Sequence, residues 1–397
     1  MFLVNPERDS NAPMGKVLLV GPTEEYAKHV RPLVKSLDPQ NRVMVRGMPS
    51  WLKEIAENRL TLGGPPSGSR RDVSWSVGTM AYHAVNLLSR SDPMIRRRKL
   101  TSDGIRKVYT AIKNNRVGDR QLTEHPALVS WARSLPPHKQ AVQLIPYAPL
   151  LAACSLAICP ADKRYGYDHI IVDEAQDISP IEWRIISLFN RGRWTLVGDM
   201  NQRRSDWSYQ SWDALASRIG IADPDGHFAP EDFQRGYRST LPIMRFANRL
   251  LGDAASPIDC LQREGPEPLV MRRIAGDLFV ATIMSAETLA SRHPQGTTAI
   301  ISVSPGKIIG VLRSSGWVGV PEAARTWTKG GVRLTIVTPD DCRGLEFDGV
   351  LVVEPDDFPK NRDRLGPLYT ALTRANRELN IIHSKPLPPP LRQRAPA

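Results

Sequence analysis

Tyr167-Asp168-His169-Ile170-Ile171-Val172-Asp173-Glu174-Ala175-Gln176-Asp177-Ile178-Ser179-Pro180 is the stretch whose reading decides the fold. Its apolar triplet, Ile170 to Val172, reads as a strand buried on both faces, the pattern of a parallel sheet. The strand ends in two adjacent carboxylates, Asp173 and Glu174. A helix start follows: Ser179 as N-cap, Pro180 at the first helical position, and Glu182 three residues after the cap. Ile181, Ile185 and Leu188 then recur at helical spacing. Open α/β sheets bind ligands at the carboxyl ends of such strands. There one carboxylate can hold Mg²⁺ against a phosphate while its neighbour orients or deprotonates a water. A bare Asp-Glu pair can equally be a solvated strand end, so the rest of the chain has to decide.

Working outward, Lys16 to Val20 reads as a strand running into Gly21-Pro22-Thr23, Glu24 to Leu37 as a helix, and Val43 to Arg46 as a further strand. Gly63 to Ser69 is a flexible loop, and a helix is expected near Tyr147 to Cys159. After the central unit, Arg193 to Val197 reads as another buried strand, ending in Gly198-Asp199-Met200-Asn201-Gln202. A second carboxylate and an amide therefore emerge from a neighbouring strand end. Trp207 and Trp212 follow in a polar loop, placed either to stack bases or to pack in a core. Phe233 to Thr240 leads into a helix from Pro242 to Leu251, and Pro257 to Pro268 reads as a linker. Strands return at Leu269–Met271, Thr298–Val303, Val332–Thr338 and Val350–Val353. A helix from Leu368 to Asn376 carries Arg374. Pro386 to Ala397, with its prolines and no periodicity, reads as a disordered tail. The alternation predicts doubly wound α/β architecture in two consecutive units, 1–240 and 241–385.

The 397 residues carry a formal charge of +12, which favours polyanionic partners. Much of it is concentrated between Arg90 and Arg120, including Arg96, Arg97, Arg98 and Lys99. In that segment Ile105, Val108 and Ile112 form one apolar stripe, so a basic amphipathic helix is expected within an insertion near 90–160. It reads as a nucleic-acid backbone contact or as a solvated face. Four scattered cysteines offer neither a disulfide framework nor a zinc site, which suits a reducing, cytoplasmic setting. No stretch has the run of about 20 apolar residues that a membrane span needs.

In order and spacing these motifs resemble the UvrD/Rep-like superfamily 1 DNA helicases, particularly the HelD-like branch, over roughly residues 16–385. Asp173 to Asp177 is similar to their second motif (Walker B) and Gly198 to Gln202 to the third. Gly236-Tyr237-Arg238-Ser239 is similar to the fourth, Thr338 to Asp348 to the fifth, and Leu368 to Ala375 to the sixth. Val17 to Thr23 resembles motif Ia. The resemblance implies two RecA-like parallel-sheet domains in tandem, a DNA-stimulated ATPase, ATP and Mg²⁺ as cofactors, and DNA, single-stranded or at a duplex junction, as partner. It further implies that Asp173 holds Mg²⁺, Glu174 polarises the attacking water, Gln202 senses the γ-phosphate and Asp199 belongs to the nucleotide site. Tyr237 would stack near the adenine, Glu346 would position the ribose, and Thr338 would touch the nucleic-acid backbone. Arg238 and Arg374 would act as arginine fingers, groups that can contribute about 10³–10⁵ in rate.

One motif departs. Phosphate binding in this fold needs Gly-x-x-x-x-Gly-Lys-Ser/Thr after a strand and opening a helix. The only Gly-Lys pairs are Gly15-Lys16 and Gly306-Lys307, followed by Val17 and Ile308, and neither fits. A strand-loop-helix unit takes about 30 residues, whereas 15 precede Lys16. The expectation is a first domain lacking its P-loop strand, with the strand ending at Asp173 left unpaired beside the gap. That would make this a truncated or split helicase completed by a second polypeptide. The alternative is a non-catalytic module that binds nucleic acid or RNA polymerase. About 95 residues separate the fourth and fifth motifs, short for the inserted domain of UvrD-type motors, which weakens the expectation of processive unwinding.

Overall fold

The computed structural model describes residues 15–38, 40–56, 75–161, 166–203, 208–231, 235–236, 238–252, 259–321, 323, 325–360 and 365–392. Two units are resolved: Met1–Met200 with Trp207–Ala229, and Asn201–Asp206 with Pro230–Ala397.

The first unit begins with β1 (Val17–Gly21), α1 (Glu24–Leu37), β2 (Val43–Gly47) and α2 (Met48–Ile55). Thr23 caps α1, its hydroxyl accepting from Tyr26 N at 3.1 Å. A mainly helical segment follows: α3 (Trp75–Leu88), α4 (Pro93–Arg96), α5 (Ser102–Asn114), the short β3 (Arg116–Val117) and β4 (Arg120–Gln121), α6 (Pro126–Ser134), α7 (His138–Ala141) and α8 (Ala148–Ile158). The stripe expected on the basic helix is real: Ile105, Val108 and Ile112 of α5 are buried. α8 is apolar all round, and every one of its residues is buried, packed by α2, α3, α5 and α9 (Pro180–Phe189).

β5 (Tyr167–Val172) leads through a single 3₁₀ turn into α9, and then into β6 (Asn190–Leu196) and α10 (Trp212–Ile219). The capping box at Ser179 and Glu182 forms as expected, an arrangement worth about 1 kcal/mol. The sheet order is β2-β1-β5-β6, all parallel. Two expectations are corrected here. β5 is not left beside a gap, because it pairs with β1 on one side and β6 on the other. Nor is Arg193 to Val197 a buried strand: Arg191, Gly192, Arg193, Thr195 and Val197 are exposed. β6 is the edge of the sheet, with no further strand paired to it among the described residues. Only Trp194 and Leu196 turn inward, against the core that includes Trp183.

The second unit contains β7 (Arg235–Gly236), α11 (Leu241–Asn248), β8 (Asp259–Cys260), β9 (Leu269–Arg272), α12 (Leu278–Arg292), β10 (Thr298–Ile301), α13 (Pro305–Ser314), β11 (Val318–Gly319) and β12 (Thr326–Lys329). It continues with β13 (Val332–Val337), β14 (Phe347–Val353), α14 (Gly366–Leu372), β15 (Ala375–His383) and α15 (Pro389–Arg392). The seven-stranded order is β11-β12-β13-β10-β14-β15-β9; the five strands from β13 to β9 run parallel, and β11 and β12 close one edge antiparallel. Alternation along β14 sends Val350 and Val352 to the α11/α14 side and Leu351 and Val353 to the α12/α13 side. Both faces are therefore covered, as a buried parallel sheet requires.

Three further expectations change. The helix thought to reach Asn376 ends at Leu372, because Ala375 already pairs with Phe347 as the start of β15. The Pro257–Pro268 stretch includes β8, paired with β7. The proline-rich end is not disordered through its whole length: Pro389–Arg392 forms α15, and Leu391 is buried in the core with Phe358 and Leu379. One leucine anchors a segment whose composition suggests none. Residues 393–397, the Gly63–Ser69 loop, Trp207 and Tyr237 lie outside the described residues.

Candidate nucleotide site

In the first unit the ends of β5 and β6 are tied by backbone bonds: Val197 N donates to Val172 O and Ala175 N donates to Val197 O, each at 2.9 Å. Between them the chain turns sharply, with Glu174 at φ 54°, ψ 43°. A non-glycine residue in this left-handed region costs on the order of 1–2 kcal/mol, strain that is commonly kept at functional sites. The side chain of Gln176, 2% exposed, holds the turn. Its Nε2 donates to Glu174 Oε2 at 2.5 Å, and its Oε1 accepts from Asp199 N at 3.1 Å. One buried amide thus fixes the Glu174 carboxylate in the turn after β5 and the backbone of the loop after β6. Gly198 is needed there, since a Cβ would lie 2.4 Å from Gln176 Oε1.

Asp173 is held from two directions. Its Oδ1 accepts from Glu174 N at 2.9 Å and its Oδ2 from Tyr26 Oη at 2.8 Å. Tyr26 reaches it by passing under Gly21, where a Cβ would stand 1.9 Å from the tyrosine ring. Burial, and then the charges of Asp173 and Glu174, push the Tyr26 hydroxyl well above the usual phenol range, so it is a permanent donor. A carboxylate offers about four lone-pair directions, and two remain for a cation. Hard oxygen donors suit Mg²⁺, which is normally held by one or two carboxylates together with substrate phosphates and water. Among the described residues no cluster of three or more ligating side chains exists. Gln176 and Tyr26 were not singled out from the sequence. Gln176 stands inside the quoted motif, but nothing in a linear pattern shows an amide turned inward. Tyr26 lies 147 positions from its partner.

Gln202, Arg238, Thr338, Glu346 and Arg374 belong to the second unit. Arg374 is 4% exposed, its guanidinium committed to Gln202 Oε1 (2.9 Å), Thr370 O (3.2 Å) and Leu345 O (3.4 Å). Thr370 Oγ1 also donates to Gln202 O at 3.5 Å. Gln202 and Arg374, one from the third motif and one from the sixth, are thereby brought together. Arg238 Nε and Glu346 Oε1 form a half-exposed ion pair at 2.6 Å. Thr338 Oγ1 donates to Asp341 Oδ2 at 2.6 Å and accepts from Asp341 N at 3.2 Å, while Arg325 pairs with the same carboxylate at 3.0 Å. The Thr338 hydroxyl proton is therefore engaged within its own turn.

The basic cluster divides into two roles. Arg96 donates to Ser89 O and Arg90 O, completing the end of α3, and Arg98 donates to Ala157 O near the end of α8. These cations satisfy helix-terminal carbonyls. Lys107 is paired with Asp92 and Asp103. Arg97 and Lys99 are exposed.

Residues 139–207 match the UvrD/REP helicase N-terminal domain. The matched segment contains Asp173, Glu174, Asp199 and Gln202, and runs from α7 through the loop after β6. No curated protein matches the chain. Among solved structures, the C-terminal domain of a possible DNA helicase from Lactobacillus plantarum WCFS1 is similar at 24% identity and a TM-score of 0.31, covering 39% of this chain and 92% of that one. No helix among the described residues is long and apolar enough to cross a membrane.

Proposed function

We propose that the chain is the motor portion of an ATP-dependent DNA helicase or translocase of the UvrD-like type. In this reading Asp173 holds Mg²⁺ and Glu174 polarises the attacking water, with Asp199 at the neighbouring strand end. The observation that carries the reading is the strained turn at Glu174 clamped by Gln176: a left-handed glutamate beside an aspartate, at the carboxyl end of a buried parallel strand. Gln202, Arg238, Arg374, Glu346 and Tyr237 are the further residues that this reading assigns to ATP. The exposed Arg97 and Lys99, with Thr338 and Trp207, contact single-stranded DNA or a duplex junction. A P-loop is required for turnover, and no Gly-x-x-x-x-Gly-Lys-Ser/Thr occurs in the 397 residues.

The test is DNA-stimulated ATP hydrolysis by the purified chain beside Glu174→Gln. No turnover by the chain alone, and Glu174-dependent turnover once a P-loop is supplied, is the expected result. Turnover by the chain alone that Glu174→Gln abolishes would show that phosphate binding resides in these residues and would refute the P-loop requirement. A second reading, a non-catalytic module binding nucleic acid or RNA polymerase, is favoured by one observation: Arg374 is buried with its donors spent on its own unit. DNA binding without turnover under any supply of P-loop would select it.

A further inference from the structure

Asp173, the carboxylate that the nucleotide-site reading assigns to Mg²⁺, is held differently from several other acids of the chain. Asp92, Asp168, Asp341 and Glu378 are each paired with a cation: Lys107, Arg191, Arg325 and Arg292. Asp173 has two neutral donors instead, Glu174 N at 2.9 Å and Tyr26 Oη at 2.8 Å, and no cation among the described residues is paired with it. Neutral donors fix the direction of a carboxylate while leaving its full charge for a cation. Asp38 shows the purely structural use of a neutral donor: it is 3% exposed, and its Oδ2 accepts from Val43 N at 2.7 Å, closing the end of α1 onto β2. Asp173 is only half-buried and stays within reach of a ligand.

Tyr26 is itself held at both ends. Its N donates to Thr23 Oγ1 in the N-cap of α1 at 3.1 Å, and its ring lies under Gly21 of β1, where a Cβ would stand 1.9 Å from Cδ1 and 2.2 Å from Cε1. The first turn of α1 is in turn wedged against β2 and α2. A Cβ on Gly47 would lie 2.6 Å from Thr23 O, Ser50 Oγ donates to Glu24 Oε2, and Arg31 reaches both Glu24 Oε1 at 3.4 Å and Val45 O at 3.5 Å. Asp173 N donates to Val20 O at 2.9 Å, so the backbone of Asp173 is tied to β1 and its side chain to α1. The terminal torsion of a carboxylate is otherwise broad; bonded at both oxygens, this one is fixed.

We infer that Tyr26 is a positioning residue for the cation held at Asp173: its hydroxyl fixes the plane of the carboxylate and so sets the affinity for a hard divalent cation, without touching the cation. This rests on the nucleotide-site reading and deepens it by assigning cation affinity to a side chain on α1, 147 positions from its partner. Loss of an outer hydrogen bond of this kind lowers metal affinity about 10–100-fold. A tyrosine that only packed the start of α1 would change stability and leave cation affinity alone.

The test uses the full chain with isotope-labelled alanine and Mn²⁺ alone as the probe. Paramagnetic broadening of the Ala175 amide is followed, with urea unfolding in parallel. The wild type should show broadening that Mg²⁺ reverses by competition and that Asp173→Asn removes. Tyr26→Phe keeps the ring under Gly21 and should require at least about tenfold more Mn²⁺. Gly21→Ala, which displaces the ring with its hydroxyl intact, should do the same. Thr23→Ala loses the cap, so its urea midpoint should fall while its Mn²⁺ affinity stays unchanged. Equal affinity in Tyr26→Phe and wild type, or tighter binding by the variant, would overturn the positioning role and leave Asp173 as the cation's ligand. A loss of affinity in Thr23→Ala as large as in Tyr26→Phe would overturn it too, since the packing of α1 and not the hydroxyl would then set the affinity. No broadening in the wild type, or broadening that Asp173→Asn leaves unchanged, would refute the nucleotide-site reading and with it any role for Tyr26 there.

Discussion

Gln176→Glu is nearly isosteric, yet it reverses the logic of the clamp at Glu174. The native amide donates to Glu174 Oε2 at 2.5 Å and accepts from Asp199 N at 3.1 Å. A glutamate can still accept from Asp199 N but can no longer donate when ionised, and it sets a second negative charge against Glu174. A hydrogen bond to a charged group is worth about 1.5–3 kcal/mol. Two like charges about 4 Å apart repel by about 4 kcal/mol at an effective dielectric of about 20, less where water screens the half-buried Glu174. Together these predict a loss of about 3–5 kcal/mol at neutral pH, a large share of the 5–15 kcal/mol typical of a domain. The sign with pH follows. Repulsion raises the folded-state pKa of the pair above the ordinary glutamate value near 4.3, so the folded state binds more protons than the unfolded one above that pH. The penalty is then smallest near pH 4–5, where the two carboxyls share a proton, and grows as pH rises toward 8. Gln176→Ala loses both bonds but adds no charge, so its penalty should be flat with pH. Urea unfolding of the three proteins at pH 5 and pH 8 reads this directly, at about 1–3 kcal/mol per molar urea. Equal midpoints for Gln176→Glu and wild type, or a deficit that shrinks as pH rises, would refute the clamp.

Arg96→Ala should cost about 1 kcal/mol of stability by releasing the Ser89 and Arg90 carbonyls, whereas Arg97→Ala and Lys99→Ala should leave the unfolding midpoint within about 0.5 kcal/mol. In DNA titrations across salt, each of the latter two should lower the slope of log affinity against log salt by about one, a change Arg96→Ala does not share if its donors stay with α3. Removing residues 387–397 takes away buried Leu391 and should cost about 2 kcal/mol, read as a melting shift of roughly 4–8 °C in the second unit; an unchanged transition would show that α15 contributes nothing. His169, its Nε2 bonded to Thr195 Oγ1 at 2.8 Å, has its pKa lowered by burial and then by Arg193. The unfolded state therefore binds the proton first, so its contribution is fully present above about pH 6.5 and declines below it. His169→Asn should flatten that decline in an acid titration.

What the sequence made legible was whatever depends on neighbours in the chain. The apolar triplet at Ile170, the capping box at Ser179 and Glu182, and the stripe of Ile105, Val108 and Ile112 all act over a few residues, and all form. β6 was misread for a reason of the same kind. A strand that follows a buried one in a parallel sheet is expected to be buried, yet Arg191, Gly192 and Arg193 already carry the signature of an edge. Charge was legible as a total but not as a role, because only the folded chain shows that Arg96 and Arg98 reach carbonyls at the ends of α3 and α8. Tyr26, which holds Asp173 across 147 positions, leaves no local trace at all.

The second unit shows how far a motif can be trusted. Arg374 was singled out as a group that would meet ATP, and the structure gives its guanidinium three acceptors within its own unit, Gln202 Oε1 among them. These bonds are also a tie between the third and sixth motifs. A nucleotide that draws Gln202 to its phosphate would remove an acceptor from a buried cation, and an unpaired buried charge is costly, so Arg374 would follow the same phosphate. Coupling of this kind makes Gln202→Ala and Arg374→Ala non-additive in ATP turnover. The double variant should be little worse than either single one. Losses that simply multiply would mean that the two side chains act independently, and that their bond is a packing contact.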